Sequence, residues 1–255
     1  MATAWSIVPI IGPSIGGVID QAAGWRSIFI CLTAVGIAVA AYSLPLIPSK
    51  KSTSLSLADY MRSYVNLLTS LKYLFSVCTM AFCLGALYVY LGQVTAVLRI
   101  DAISNNIVTG IVISAAPLGF FVGSFISGSL SKTRSRGFNM VSGRVLVLAG
   151  MILSLALAVP NVGGITPIAL AGFFTGLGNG ITLPNASSMA ISVNKELTGA
   201  AVGLASAISL GFGGVIAFIC GIFIQDHLTD SVLLTTLLAV AAASTVVTWI
   251  AVKAK

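Results

Sequence analysis

The chain has 255 residues, of which 57% are hydrophobic and 7% are charged, and its formal net charge is +7. A soluble domain typically carries about 25% charged residues, so this composition excludes soluble globular, disordered and disulfide-scaffold proteins. It predicts an all-α polytopic membrane protein that lies in the lipid bilayer, and its excess cations mark topology rather than nucleic-acid binding.

Eight segments are apolar and long enough to cross a bilayer, which takes about 20 residues in a helix. The first is the weakest, because it starts at the N-terminus and contains Pro9 and Pro13. Proline is tolerated in membrane helices where neighbouring groups satisfy the freed backbone, so we predict eight transmembrane helices. They lie at 3–19, 27–47, 74–97, 107–130, 143–160, 167–191, 200–224 and 232–252.

The longest polar connection between these segments is 48–73. Apolar residues recur there at a spacing of three to four, from Leu57, Met61 and Tyr64 to Leu68. This pattern predicts either an amphipathic helix at the membrane surface or a simple cytoplasmic lead-in to the next span. In both cases the segment separates two membrane bundles.

The positions of the cations support the number of spans and orient the chain. If 48–73 is cytoplasmic, only Arg26 and Arg99 of the 13 Lys and Arg residues fall outside. By the positive-inside rule, this distribution predicts a cytoplasmic C-terminus. The eleven cations placed in the cytoplasm are Lys50, Lys51, Arg62, Lys72, Lys132, Arg134, Arg136, Arg144, Lys195, Lys253 and Lys255.

A short internal repeat suggests how the spans are grouped. The first span ends in a glycine pair and Asp20, and the seventh has a glycine pair before Asp226, although chance similarity is the alternative. A real repeat would have six spans, so an intact protein would have twelve and this chain would lack the first four. Paired six-helix bundles are a transporter architecture with the substrate path near the membrane midplane. The predicted units are the last two helices of an N-terminal bundle (1–47), a cytoplasmic connecting segment (48–73) and a six-helix C-terminal bundle (74–255).

Two stretches near the N-terminus carry a family resemblance. The pattern Gly12-Pro13-x-x-Gly16-Gly17 resembles the end of the fifth-helix antiporter motif of the major facilitator superfamily, although Val8 stands where the longer motif has glycine. The stretch Gly24-Trp25-Arg26 is similar to the loop that follows this motif in the drug:proton antiporter branch. The resemblance implies a gating role for Pro9, Gly12, Pro13, Gly16 and Gly17.

Later segments extend the resemblance. Residues 176–180, 184–186 and 199–203 are similar to helices ten and eleven of bicyclomycin-resistance-type exporters. The loop after the fourth span resembles the family's cytoplasmic loop motif, but Lys132 replaces its Asp and Ser135 replaces a Gly. The loop residues that match the motif are Gly128, Leu130, Arg134 and Arg136.

Polar residues within spans are costly in lipid and are therefore candidates for function. Thr175, Asn179 and Thr182 share one helical face, opposite a face of glycines. On the third span Tyr88, Tyr90 and Gln93 could line a cavity. Contact with a small organic substrate and hydrogen bonding between helices are both consistent with these six residues.

The sequence offers no metal, cofactor or catalytic site. Its four cysteines lie in apolar runs without metal-ligand spacing, which predicts buried reduced thiols. The Gly-x-Ser-x-Gly pattern at 12–16 lies inside an apolar span and lacks the strand-turn-helix context of a hydrolase. We therefore expect that the chain is not an enzyme.

All the carboxylates and the single histidine lie in loops or at span ends. A proton-coupled exporter needs a protonatable group within the membrane, and the resemblance implies that this group lies in helices this chain lacks. The resemblance thus implies a secondary transporter of the cell inner membrane that exports small amphipathic drugs or metabolites by alternating access, with protons as coupling ion. The alternative is a truncated fragment or partial subunit with no transport of its own, whose missing N-terminal helices come from another chain.

Overall fold

The computed structural model describes residues 15, 19–20, 22–46, 57–100, 106–158, 165–193, 198–225 and 229–254. These residues are almost all helical and contain no β-strand, which confirms the predicted all-α fold. The predicted first span lies largely outside them. The helices are α1 (Trp25–Ser43, extended by a 3-10 turn at Leu44–Leu46), α2 (Leu57–Thr69), α3 (Leu71–Ile100), α4 (Asn106–Leu130), α5 (Arg136–Ala158), α6 (Thr166–Ile191), α7 (Thr198–Gln225) and α8 (Asp230–Lys253).

Six of these helices are long and apolar enough to cross a membrane, namely α1, α3, α4, α5, α7 and α8. Helix α6 is also long enough, since its 26 residues span about 39 Å at 1.5 Å per residue. It is less apolar because Asn179, several threonines and several glycines interrupt it. It packs extensively against α3, α4 and α5, so little of its surface would face lipid. We therefore count α6 among the spans.

Close contact between backbones holds α4 against α6. A Cβ atom added at Gly119 would collide with the main-chain oxygen of Phe173, and one added at Gly176 with that of Ala116. Small residues permit this approach, and van der Waals packing is a main source of helix association in lipid. The glycine face of α6 is thus turned toward α4.

The connecting segment contains a separate helix, α2, rather than a simple lead-in to α3. Its Leu67 is 1% exposed and packs with Tyr73 and Ala205, while Met61 and Leu68 are exposed. The Tyr73 hydroxyl donates a hydrogen bond to the Ala201 carbonyl at 2.8 Å. One face of α2 is thus anchored to the junction of α3 and α7.

Helix α1 has no buried residue, and the side chains of Phe29, Ile30 and Ile37 are all more than 60% exposed. The prediction of four buried thiols is therefore wrong for Cys31, which is exposed because none of the described residues outside α1 and its 3-10 extension packs closely on that helix. Cys83 is buried, and the two remaining cysteines, on α3 and α7, are half-buried. All four are free thiols.

The assignment of Arg144 to the cytoplasm is also wrong. The predicted span began at residue 143, but α5 begins at Arg136. Arg144 therefore lies about 12 Å along the helix from its first residue, at 1.5 Å per residue. Its side chain is only 1% exposed, so it is a buried cation of the bundle rather than a topology marker.

Candidate functional site

Arg144 stands at the centre of a buried polar cluster contributed by three helices. Its Nη2 donates to Asn179 Oδ1 at 2.8 Å, and its Nε donates to Thr182 Oγ1 at 3.1 Å, both on α6. Its Nη1 lies 3.5 Å from Ser244 Oγ on α8. All four side chains are at most 1% exposed. We call Arg144, Asn179, Thr182 and Ser244 the Arg144 cluster.

A close approach of α5 to α6 gives the guanidinium its position. A Cβ atom at Gly143 would lie 2.5 Å from Thr182 Oγ1 and 2.9 Å from the Gly178 carbonyl oxygen. A Cβ atom at Gly178 would lie 3.3 Å from Arg144 Nη2. The paired glycines thus leave the space in which the guanidinium reaches the polar side chains of α6.

The cluster also reaches α3 and lies near the middle of the bundle. Asn179 uses its amide nitrogen to donate to the Cys83 main-chain oxygen at 2.8 Å. Along α6, Asn179 is about 20 Å from Thr166 and about 18 Å from Ile191, at 1.5 Å per residue. Four helices are therefore tied together at mid-depth by side chains that would otherwise be unpaired in a low-dielectric interior.

The charge of Arg144 has no acidic neighbour in the cluster. An arginine guanidinium stays protonated in proteins and presents five N–H donors, whereas its three partners here are a neutral amide and two hydroxyls. In the part of the chain that the structure describes, α3 to α8 contain no carboxylate beyond Asp230, the first residue of α8. A charge within a membrane bundle is costly and marks a functional site by default.

A second buried cluster links α4, α5 and α6. Asn185 Nδ2 donates to Ser127 Oγ at 2.9 Å and to the Ile181 carbonyl at 2.8 Å. Asn139 Nδ2 lies 3.4 Å from Asn185 Oδ1, and the buried Asn139 Oδ1 has no hydrogen-bond partner among the described residues. The polar interior therefore continues along α6 from Thr182 to Asn185.

Comparison with known families identifies the chain. The family model of the Major Facilitator Superfamily matches residues 1–218. This chain belongs to the Major Facilitator Superfamily. It is therefore a multi-pass membrane protein and a secondary transporter. A search of curated proteins finds no match.

The structure brings together two of the three substrate residues predicted on α6 of this superfamily member. Asn179 and Thr182 both contact Arg144, a cation whose position in the sequence predicted a place outside the span. Thr175 is equally buried, but its hydroxyl donates to the Ala171 carbonyl of its own helix at 2.7 Å. The polar face of α6 is thus turned into the bundle.

The three residues predicted on α3 have different environments. Tyr90 is fully buried, packs against Gly172 and donates its hydroxyl to the Val112 carbonyl on α4 at 2.6 Å. Tyr88 and Gln93 are half-buried. A Cβ atom added at Gly221 would lie 3.2 Å from Gln93 Nε2, which places this amide beside α7.

The predicted loop-motif residues lie where α4 passes into α5, and the predicted antiporter-motif residues lie outside the described residues. Gly128 and Leu130 end α4, Arg134 lies in the following turn, and Arg136 begins α5. Both arginines are exposed. The antiporter-motif residues Pro9, Gly12, Pro13, Gly16 and Gly17 lie outside the described residues.

Arg144 is the functional candidate that sequence analysis missed. Its neighbours Val145 and Leu146 resemble the start of an apolar span, a pattern that predicts a flanking cation. One signal could have found it, because Phe138 and Met140 already continue the apolar pattern before it. Among the described residues, no three His, Cys, Asp or Glu side chains converge as metal ligands.

Proposed function

We propose that this transporter exports small amphipathic organic molecules by alternating access, with proton influx as the driving force. The support is the resemblance of 12–17 to the fifth-helix antiporter motif and of 176–203 to helices ten and eleven of bicyclomycin-resistance-type exporters. In this proposal Tyr88, Tyr90, Gln93, Thr175, Asn179 and Thr182 lie along the substrate path or support it. The gate is formed by Pro9, Gly12, Pro13, Gly16 and Gly17.

The observation that carries the proposal is the Arg144 cluster. Insertion of an arginine at the centre of a membrane helix costs about 2.5–3.5 kcal/mol on insertion scales, so its retention needs a compensating role. The cluster joins α3, α5, α6 and α8 through bonds to side chains and one main-chain oxygen. Helices tied in this way would move as a unit, which is what rigid-body rocking of one bundle against another requires.

The half-buried residues are the better candidates for direct substrate contact. Asn179 and Thr182 already use their polar atoms within the cluster, whereas Tyr88 and Gln93 are partly accessible. We therefore propose that Tyr88 and Gln93 touch the substrate, that Asn179 positions their helix, α3, through the Cys83 carbonyl, and that Thr182 holds Arg144 of α5.

We place the transporter in the cell inner membrane with its C-terminus in the cytoplasm. Removing Arg144 from the eleven cations assigned to the cytoplasm leaves ten, against two outside. The bias that orients membrane proteins is therefore preserved. In this proposal the proton-binding group lies outside α3 to α8. Apart from Asp230, the first residue of α8, these described helices contain no carboxylate and no histidine.

A second candidate is a partial subunit that transports nothing by itself. It is favoured by α1, whose apolar side chains Phe29, Ile30 and Ile37 are 62%, 69% and 66% exposed. In this proposal helices from another chain, or from a longer form of this one, cover α1 and complete the substrate path.

Transport of ethidium into inverted membrane vesicles tests both proposals. We expect uptake that requires an imposed proton gradient and stops when a protonophore is added. Thr182→Val should slow it, because Arg144 Nε loses its acceptor. Thr245→Val is the matched control, since the Thr245 hydroxyl bonds only the Ala241 carbonyl of its own helix.

The outcomes separate the two candidates. Uptake by the chain alone supports an autonomous exporter. Uptake only when helices preceding α1 are supplied supports the partial subunit. Equal rates for the two threonine variants would contradict a role for the Arg144 cluster in transport.

A further inference from the structure

Two cations at one end of the bundle lie against exposed aromatic rings. The Arg134 guanidinium carbon is 5.2 Å from the centre of the Phe138 ring, and Lys253 Nζ is 3.6 Å from that of Trp249. Phe138 and Trp249 are 48% and 51% exposed. Each pair therefore presents a positive charge and an aromatic surface together on the outside of the bundle.

The two pairs belong to one surface. A Cβ atom added at Gly137 would lie 2.7 Å from Val252 Cγ1, so the first turn of α5 packs on the last turn of α8. Met140 and Ala251 share a buried apolar cluster just inside this contact. The exposed cations and rings of this end, which we call the basic rim, are Lys132, Arg134, Arg136, Phe138, Trp249 and Lys253.

No acidic residue offsets the charge of the basic rim within the helices that bear it. Helices α4 and α5 contain no Asp or Glu, and the only one in α8 is Asp230, at the opposite end of that helix. The rim thus concentrates four cations at one end of the bundle. Their mutual repulsion favours an anionic partner.

We propose that the basic rim binds the headgroup phosphate of an anionic phospholipid. Both α5 and α8 are apolar enough to cross the membrane, so their ends lie at headgroup level. Aromatic side chains are enriched at that level, and each Lys or Arg near an anionic membrane surface contributes about 1 kcal/mol. A lipid fits better than a free anion, because its acyl chains can cover the apolar sides of the same helices while its phosphate meets the cations. The inference does not depend on the proposed transport activity.

A third cation–aromatic pair, at the start of α1, offers a comparison. The Arg26 guanidinium carbon is 5.4 Å from the centre of the ring of Trp25, a residue at the start of α1 that is 60% exposed. No second described cation accompanies this pair on α1. It therefore presents the same chemistry with only one charge.

Quenching of tryptophan fluorescence by brominated lipids tests the proposal. The substitutions Trp5→Phe and Trp25→Phe leave Trp249 as the single tryptophan. This variant is reconstituted in vesicles that contain brominated phosphatidylglycerol or brominated phosphatidylcholine. We expect stronger quenching by phosphatidylglycerol. Arg134→Ala with Lys253→Ala should lower this preference by up to about 30-fold, since about 1 kcal/mol per cation corresponds to about fivefold each.

Matched variants show whether charge causes the preference. Arg134→Lys with Lys253→Arg should keep it. A protein that retains Trp25 alone should show a smaller preference than the protein with Trp249 alone. Inorganic phosphate, added at the same concentration as the lipid phosphate, should not reduce the preferential quenching of Trp249 by phosphatidylglycerol.

Three results would overturn the proposal. The first is equal quenching of Trp249 by both lipids, and the second is an unchanged preference in the double alanine variant. The third is loss of the preference when inorganic phosphate displaces the lipid. The last would assign the rim to a soluble anion instead.

Discussion

The strongest test of the Arg144 cluster compares two substitutions of Asn179. Asn179→Ala removes the acceptor of Arg144 Nη2 and the donor to the Cys83 carbonyl, both at 2.8 Å. Asn179→Asp keeps the shape of the side chain. An ionised Asp would pair with the guanidinium, and a protonated one would reproduce both hydrogen bonds of the amide. We therefore expect the alanine variant to lose stability and the aspartate variant to match or exceed the parent protein.

The expected loss for Asn179→Ala follows from the two bonds. A hydrogen bond to a charged group contributes about 1.5–3 kcal/mol and a neutral one about 0.5–1.5 kcal/mol. Hydrogen bonds between membrane helices average only about 0.6 kcal/mol, with a maximum near 1.7 kcal/mol. A loss of about 2–4 kcal/mol would thus exceed the roughly 1.2 kcal/mol that two average neutral interhelical bonds provide. At about 2–4 °C per kcal/mol, this corresponds to a fall of about 5–15 °C.

The assay is the apparent melting temperature of the protein in detergent, measured as the temperature at which half of the monodisperse chromatographic peak is lost. The control is Asn66→Ala, which removes an exposed amide on α2 and should change the melting temperature little. If the aspartate variant falls as far as the alanine variant, Arg144 does not hold an uncompensated charge against Asn179. If the alanine variant loses no more free energy of unfolding than neutral interhelical hydrogen bonds contribute, the charge of Arg144 adds nothing to this contact.

Three further predictions concern packing, each measured by the same melting assay. Gly119→Leu should prevent stable folding, because its side chain meets the main chain of α6, whereas Gly110→Leu on the same helix has open space and should be tolerated. Leu67→Ala should cost about 2–4 kcal/mol because this side chain is 1% exposed, and Leu68→Ala, 42% exposed, should stay within about 0.5 kcal/mol. Tyr90→Phe should cost about 1 kcal/mol by removing a 2.6 Å hydrogen bond, and an unchanged melting temperature would contradict the role of that hydroxyl in joining α3 to α4.

Composition and hydropathy predicted the helical membrane fold because both depend on the solvent around the helices. The segments predicted at 107–130 and 232–252 became α4 and α8 with nearly the same bounds. Helix ends were predicted less well where polar residues belong to a span. The predicted start at 143 is seven residues later than the observed start of α5, because Arg136 and Arg144 both resemble cations that flank a span.

The partners within the site could not be predicted because they depend on how helices pack. Periodicity placed Asn179 and Thr182 on one face of α6, away from the glycines that contact α4. It could not show that α5 lies against that face, since Gly143 and Gly178 are far apart in sequence. The guanidinium became part of the site only when those two helices were placed together.

The weak hydropathy of α6 and the burial of Arg144 have one physical cause. A membrane helix needs apolar side chains only where it faces lipid, and α6 is enclosed by α3, α4 and α5. Enclosure lets glycines bring backbones together, and it lets amides and hydroxyls such as those of Asn179 and Thr182 point inward without meeting lipid. Those inward groups supply the acceptors that make a buried guanidinium tolerable. Because these acceptors come from an enclosed helix, a buried charge in a transporter bundle should be sought first on the helices that pack against such a span, as α5 packs against α6.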